Sequence, residues 1–116
     1  MAAFSCHPRS EMKMTQALLV FVQFEVNDFA RYRADYASKM AALAAQFGAQ
    51  FLAATPQAEA MEGALGGNFT AVLRFPSREA AQAMYESAEY APLKRLRQDE
   101  LTTRGQVLFI PALDAG

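Results

Sequence analysis

The sequence predicts one α+β domain in which strands and helices follow the order β-α-β-β-α-β. Four runs are rich in β-branched and aromatic residues, at positions 17–26, 50–55, 68–75 and 107–110. Apolar residues at spacings of three and four follow the first and the third run, as on the buried side of a helix. A chain of 116 residues has the length of a single domain.

The first half of the chain contains the longest helical pattern. After the strand at 17–26, Asn27 or Asp28 can cap a helix by accepting from its free N–H groups. Gly48 suits the left-handed turn that ends such a helix. The predicted buried side of this helix consists of Phe29, Tyr32, Tyr36, Met40, Leu43 and Phe47. A strand from Gln50 to Thr55 follows.

The second half of the chain again has helical segments between two strands, and these elements are shorter. A glycine-containing loop at 57–67 leads to a strand from Asn68 to Phe75, and Ser77 can cap the next helix. Its predicted inward residues are Ala80, Ala81, Met84 and Tyr85. Pro92 lacks an N–H group, so we expect a break before a further helix within 87–99. Gly105 and Gln106 then open the last strand, Val107 to Ile110.

The termini and the composition restrict the function classes. Residues 1–14 lack periodicity and are expected to form a loose extension to a domain at 15–116, with Met12 and Met14 as further candidate starts. No secretory signal or membrane span is predicted, and the single cysteine, Cys6, favours a cytoplasmic location. A net charge of −1 gives no basic patch for nucleic acid.

The residues that support common catalytic and cofactor chemistry are missing. His7 is the only histidine, and with Cys6 it lies in the predicted extension, so neither a nucleophilic triad nor a metal site is expected. No phosphate-binding glycine motif is present. The sequence therefore predicts no metal and no cofactor, and it names no catalytic residue.

The two central strands of this topology predict a homodimer. With right-handed crossovers the order β-α-β-β-α-β is the ferredoxin-like arrangement, with both helices on one face of a four-stranded antiparallel sheet. Alternation puts Leu19, Phe21, Glu25, Val72 and Arg74 on the other face. Because an open face is normally polar, its apolar members indicate cover by a second copy of the sheet. Glu25 and Arg74 are expected to form an ion pair there or to hold an anion; a solvated face is the alternative.

The four tyrosines mark a candidate ligand site between helices and sheet. Tyr32, Tyr36, Tyr85 and Tyr90 all lie on predicted helices, and a phenol combines an apolar ring with a polar tip. Glu62, on the loop between the second and third strands, is added as a candidate polar group. The alternative is that the phenols are core residues and Glu62 a turn residue. Ser87 and Arg97 are interpreted as a helix cap and as a surface or interface charge.

Several short motifs resemble one known family. Asn27-Asp28, Phe47-Gly48-Ala49-Gln50-Phe51-Leu52, Glu62-Gly63, Phe75-Pro76-Ser77 and Tyr85-Glu86-Ser87-Ala88-Glu89-Tyr90 together resemble the domain of unknown function 1330, over residues 17–110. That family belongs to the dimeric α/β-barrel superfamily, which includes small monooxygenases, muconolactone isomerase-like enzymes and stress-responsive proteins. The resemblance implies the fold and a dimer, and little about activity.

Two hypotheses for the function remain open at this point. The first is a dimer that binds a small, partly apolar molecule in the cleft, with or without cofactor-free isomerase or monooxygenase-like chemistry by tyrosine and carboxylate groups. The second is a non-enzymatic binding, regulatory or stress-related dimer whose core is closed. An open cavity near Tyr36 and Tyr85 would favour the first.

Overall fold

A four-stranded antiparallel sheet carries all the helices on one face in the computed structural model, which describes residues 16–113. The strands are β1 (Leu18–Val26), β2 (Gln50–Thr55), β3 (Phe69–Phe75) and β4 (Thr102–Pro111). Helix α1 is α-helical at Phe29–Tyr32 and Ser38–Gln46 with a π-helical stretch, Arg33–Ala37, between them. Helix α2 is Arg78–Tyr85, and α3 is Ala91–Leu96 continued by a π-helical stretch, Arg97–Leu101. The predicted extension at 1–14, with Cys6 and His7, lies outside the described residues.

Local sequence signals set the boundaries of the helices. The Asp28 carboxylate accepts from the Arg31 N–H at 3.2 Å, and the Ser77 hydroxyl accepts from the Ala80 N–H at 3.0 Å. Gly48 has a φ of +86°, the left-handed conformation predicted for the end of α1. Pro92 lies in the first turn of α3, which confirms the break after α2. None of the helices in this part of the chain is long and apolar enough to cross a membrane.

The strand order β2-β3-β1-β4 confirms the ferredoxin-like α+β fold, with β1 antiparallel to both of its neighbours. The predicted division of the two central strands is also observed. The buried, helix-facing residues are Leu18, Val20, Val22, Phe24 and Val26 of β1 with Ala71, Leu73 and Phe75 of β3. These apolar residues form the core together with the inward sides of the three helices. The sheet thus presents one wholly apolar face to the helical layer.

The opposite face of the sheet is partly covered by the loop that joins β2 and β3. The Gly66 N–H donates to the Gln23 side-chain oxygen at 2.7 Å, and the Gln23 amide donates to the Thr70 hydroxyl at 3.1 Å. The Asn68 side chain bonds both the N–H and the C=O of Val26. These contacts hold the loop against one end of the sheet and bury Gln23.

The other end of this face carries an apolar patch in the single chain. Register pairs Leu19 with Ile110 and Phe21 with Leu108 across β1 and β4, while Val72 lies opposite Phe21 on β3. We call these five residues the open-face patch. Leu108 and Ile110 are 43% and 40% exposed. Apolar side chains on three adjacent strands therefore face solvent.

The predicted pairing of Glu25 with Arg74 is wrong. Because β1 and β3 are antiparallel, Arg74 lies beside Leu19, at the opposite end of β1 from Glu25. Six residues of strand separate the two by about 20 Å. Glu25 instead faces Arg104 of β4, with their charged atoms 3.5 Å apart.

The last strand is longer than the sequence predicts. It begins at Thr102 and not at Val107, and it pairs with β1 almost from end to end. The added residues include Gly105, which lies opposite Phe24. A Cβ atom at this glycine would lie 2.3 Å from the Phe24 ring and 2.8 Å from the Gln23 carbonyl oxygen. Glycine thus allows a close approach that strand propensity alone does not indicate.

Candidate functional site

A cavity of about 110 Å³ lies between the sheet and the helical layer. Its floor is the apolar face of the sheet, and its roof includes Met40 of α1 and Met84 of α2. Two of its lining residues, Phe51 and Ala54 on the edge strand β2, are exposed, so the cavity reaches the surface there. Apart from the tyrosine hydroxyls, the side chains that line it are apolar.

All four tyrosines line this cavity. The hydroxyl oxygens of Tyr36 and Tyr90 are 2.6 Å apart, a buried hydrogen bond in which either group can be the donor. The Tyr32 ring lies 5.2 Å from that of Tyr36, and the Tyr85 ring lies 5.6 Å from that of Tyr90, measured between centroids. The four rings thus form a continuous aromatic wall along the helical side.

Local structure explains how these rings converge. Tyr36 lies within the π-helical stretch Arg33–Ala37, which changes the helical register between Tyr32 and the rest of α1. Ser87 links the end of α2 to the start of α3. Its hydroxyl donates to the Met84 carbonyl at 2.8 Å and accepts from the Tyr90 N–H at 3.1 Å. Ser87 thus bonds within the turn that precedes α3, whose N-cap residue is Tyr90. Tyr90 is placed where α2 ends and α3 begins.

Arg97 is buried beside the tyrosine pair, and its interpretation as a surface or interface charge is wrong. Its exposed fraction is 4%. The guanidinium carbon lies 4.5 Å from the centroid of the Phe24 ring and 5.9 Å from that of Tyr36, both distances typical of cation–π contacts. Two of its nitrogens, Nε and Nη2, are buried without a hydrogen-bond partner among the described residues.

A sequence signal for this burial exists. Tyr90, Leu93, Arg97 and Leu101 follow one another at spacings of three, four and four, the same spacing that places Tyr32 and Tyr36 inward. Arginine is rarely fully buried, so the residue type alone predicts an exposed position for Arg97. The position of Arg97 on the helix determines its burial, because this side of α3 and of its π-helical continuation is packed toward the core.

The backbone around Arg97 is fixed by contacts to neighbouring elements. The Thr102 hydroxyl donates to the Arg97 carbonyl at 3.0 Å. Asn27 donates from its backbone N–H to the Leu101 carbonyl at 2.9 Å and from its side chain to the Glu100 carbonyl at 3.2 Å. The π-helical stretch is thus attached to the turn between β1 and α1, close to the base of the cavity wall.

The ionisation of these groups follows from their burial. Burial raises the pKa of Tyr32 and of Tyr36 well above the usual value of 10.0, and the positive charge of Arg97 only partly opposes this. Both phenols therefore remain protonated at physiological pH. Burial disfavours the charge on Arg97, but the nearby oxygens of Tyr36 and Tyr90 outweigh it, so the guanidinium pKa is raised. The site combines neutral hydroxyls with a permanent positive charge.

Glu62 does not join the tyrosines. It is exposed, it does not line the cavity, and its loop attaches to the opposite face of the sheet through Gly66 and Gln23. Within residues 16–113, no carboxylate lines the cavity, and no group of three or more His, Cys, Asp or Glu side chains is placed to hold a metal ion. The arrangement can hold a polar or anionic group on an apolar molecule.

A protein-family model described as a domain of unknown function, DUF1330, matches residues 17–112 of the sequence. The chain belongs to this family. The resemblance in the sequence motifs is therefore confirmed over almost the whole described region, and the comparison with curated proteins gives no match.

Solved structures show the same fold at low sequence identity. A protein of unknown function from Rhodopseudomonas palustris, RPA0582, is similar with a TM-score of 0.70 and 10% identity, covering 97% of this chain and 98% of that one. A putative antibiotic biosynthesis monooxygenase from Caulobacter crescentus is similar with a TM-score of 0.54 and 12% identity, covering 92% and 99%. At these identities the similarity extends to the fold alone.

The raised pKa values predict a loss of stability in alkali. Below about pH 10 the folded and unfolded states hold the same phenolic protons. Above it, the unfolded state releases protons that buried Tyr32 and Tyr36 retain, so the free energy of unfolding falls by up to about 1.4 kcal/mol per pH unit for each group. Urea unfolding between pH 8 and pH 11 measures this slope.

Tyr36→Phe removes one of the two groups, so we expect a shallower decline in alkali than in the wild type. The variant also leaves the Tyr90 hydroxyl without its partner, which costs about 1–3 kcal/mol at every pH. Only the change in the free energy of unfolding with pH reports the ionisation of Tyr36. Equal slopes for the two proteins would show that Tyr36 ionises normally and is not sealed in the wall.

Proposed function

We propose that this protein binds a small, largely apolar molecule in the cavity between the sheet and the helices. The main support for this proposal is an open cavity that lies beside the hydrogen-bonded hydroxyls of Tyr36 and Tyr90 and the buried side chain of Arg97. Cores are normally packed with few voids larger than a water molecule. A cavity of about 110 Å³ that opens beside Phe51 and Ala54 favours ligand binding over a closed core.

The size of the cavity limits the class of ligand. An apolar protein cavity of about 150 Å³ holds a benzene molecule. The present cavity is smaller and open at one end, so it suits a single ring or a short branched chain whose polar end extends toward the hydroxyl pair or toward the mouth. The apolar floor and the aromatic wall bind the body of such a molecule, while the Tyr36–Tyr90 pair gives it a polar contact.

The protonation and chemical type of the side chains that line the cavity favour binding over catalysis. Isomerisation or oxygenation of a carbon acid begins with removal of a proton. Tyr32 and Tyr36 stay protonated, and none of the carboxylates at positions 16–113 lines the cavity. Monooxygenase-like chemistry, which the name of the Caulobacter structure suggests, would therefore need a substrate that ionises readily by itself. We propose ligand binding as the primary function.

Methionine methyl groups give a direct test of the cavity. Met40 and Met84 line it, whereas Met61 is 87% exposed on the loop and serves as an internal control. Titration of methyl-labelled protein with phenol, and with the smaller isobutanol, should shift the NMR signals of Met40 and Met84 saturably. The Met61 signal should stay unchanged.

Two adjacent alanines provide matched variants. Ala54 lines the cavity, whereas Ala53 pairs with Val72 and lies on the opposite face of the sheet. Ala54→Leu should close the mouth and weaken binding at least tenfold, and Ala53→Leu should leave it unchanged. If neither probe moves the signals of Met40 and Met84 in the wild type, the proposed function is wrong.

We further propose that two copies pair through the open-face patch. The loop covers only the Gln23 end of this face, and the patch left exposed spans three adjacent strands. A two-fold axis can cover it with the same patch of a second chain, which requires no other partner. Arg74, exposed beside Leu19, would lie near the rim of such an interface.

The dimer predicts a mass of roughly 25 kDa by light scattering after gel filtration, twice the 12.7 kDa of the chain. Phe21→Glu places a charge in the centre of the patch and should give a monomer that is still folded, because this face packs on no helix. Met61→Glu adds the same charge on the exposed loop and should remain dimeric. A monomeric wild type, or a dimeric Phe21→Glu variant, would rule out this interface.

A further inference from the structure

Arg97 has a buried hydrogen-bonding edge that no group among the described residues occupies. Nε and Nη2 are the two nitrogens without a hydrogen-bond partner, and they lie on the same edge of the planar guanidinium. This edge presents two parallel N–H groups, the fork that binds both oxygens of a carboxylate. Buried polar groups nearly always have hydrogen-bond partners, so two adjacent donors without one on a single cation indicate a missing partner.

No acid among residues 16–113 forms an ion pair with Arg97. The ion pairs at positions 16–113 join Arg31 to Asp35 and Glu100, and Arg104 to Glu25, and none includes Arg97. Phe24 and Tyr36 attract its charge through their ring faces, and Nε and Nη2 have no hydrogen-bond partner among the described residues. A buried cation without a counter-ion is costly, and a bound anion would remove that cost.

Arg97 lies directly behind the cavity wall. Its two nearest rings, Phe24 and Tyr36, both line the cavity, and Tyr36 is bonded to Tyr90 at the same place. Tyr36 and Arg97 also belong to the two π-helical stretches, each of which departs from regular α-helix at this point. Such departures are frequent at functional sites.

We propose that the ligand of this cavity is a small apolar carboxylate whose carboxylate group binds the Nε–Nη2 edge of Arg97. The inference rests on the proposed ligand-binding function and specifies its ligand class. The apolar body lies in the cavity, and the Tyr36–Tyr90 pair parts to admit the carboxylate. One neutral hydrogen bond is then exchanged for charge-assisted bonds to the guanidinium and for donation from the phenols. No covalent step is involved.

Matched acids and amides separate the charge of the ligand from its shape. Benzoate and isobutyrate are titrated against benzamide and isobutyramide, with the Met40 and Met84 methyl signals as the readout. In the wild type each acid should bind at least tenfold more tightly than its amide at pH 7. Arg97→Gln should reduce this ratio to near one, and Arg97→Lys, which keeps the charge without the fork, should give an intermediate ratio. Arg95→Gln removes an exposed charge two residues away and should leave the ratio unchanged.

The outcomes distinguish this inference from the proposed function. If amides and acids bind equally well to the wild type, or if the preference for acids survives Arg97→Gln, the cavity binds ligands but the carboxylate assignment is wrong. If no probe, neutral or charged, shifts Met40 and Met84, the proposed function itself fails. Where Arg97→Gln does not fold, Arg97→Lys supplies the test, because an acid-to-amide ratio equal to that of the wild type would contradict binding by the guanidinium fork.

Discussion

The alternation of side chains along β1 is the constraint on which the rest of this structure depends. Every second residue from Leu18 to Val26 is apolar and buried, and β1 lies between β3 and β4. Burying this row requires cover from helices, and right-handed crossovers bring all of them to the same side. At about 1.5–3 kcal/mol for each fully buried large side chain, this row is a major source of stability. The cavity is the part of the interface that the helices do not fill.

Phe24 connects that constraint to the candidate site. It is the last large side chain of the buried row before Val26, and Gly105 on β4 leaves room for its ring. The face of the same ring lies 4.5 Å from the guanidinium carbon of Arg97. The apolar face of the sheet thus supports a buried positive charge through an aromatic ring. This contact leaves Nε and Nη2 of Arg97 without a hydrogen-bond partner among the described residues.

Much of the fold could be predicted from the sequence, because short-range rules and alternation determine it. The Asp28 and Ser77 caps, the Gly48 turn and the separation of the two sheet faces all follow from local residue types. The expected pairing of Glu25 with Arg74 rests only on their shared face of the sheet, whereas the antiparallel register places these residues at opposite ends of β1. Register between strands is a long-range property, and composition does not show it.

The candidate site was predictable in its aromatic part and not in its charged part. Tyrosines at helical spacing indicate a polar lining whether or not a cavity exists, so Tyr32, Tyr36, Tyr85 and Tyr90 could be selected from the sequence. The residue type of Glu62 predicts a polar member of the site, but its loop attaches to the other face of the sheet. The π-helical stretches that hold Tyr36 and Arg97 have no simple sequence signature, and neither does the volume between layers.

A crystal structure of the protein with benzoate tests the central claim most directly. The account predicts the phenyl ring in the cavity beside Met40 and Met84, with the carboxylate oxygens about 2.7–2.9 Å from Nε and Nη2 of Arg97. A benzoate with its carboxylate directed to solvent at Ala54, and ordered water on the edge of Arg97, would contradict it.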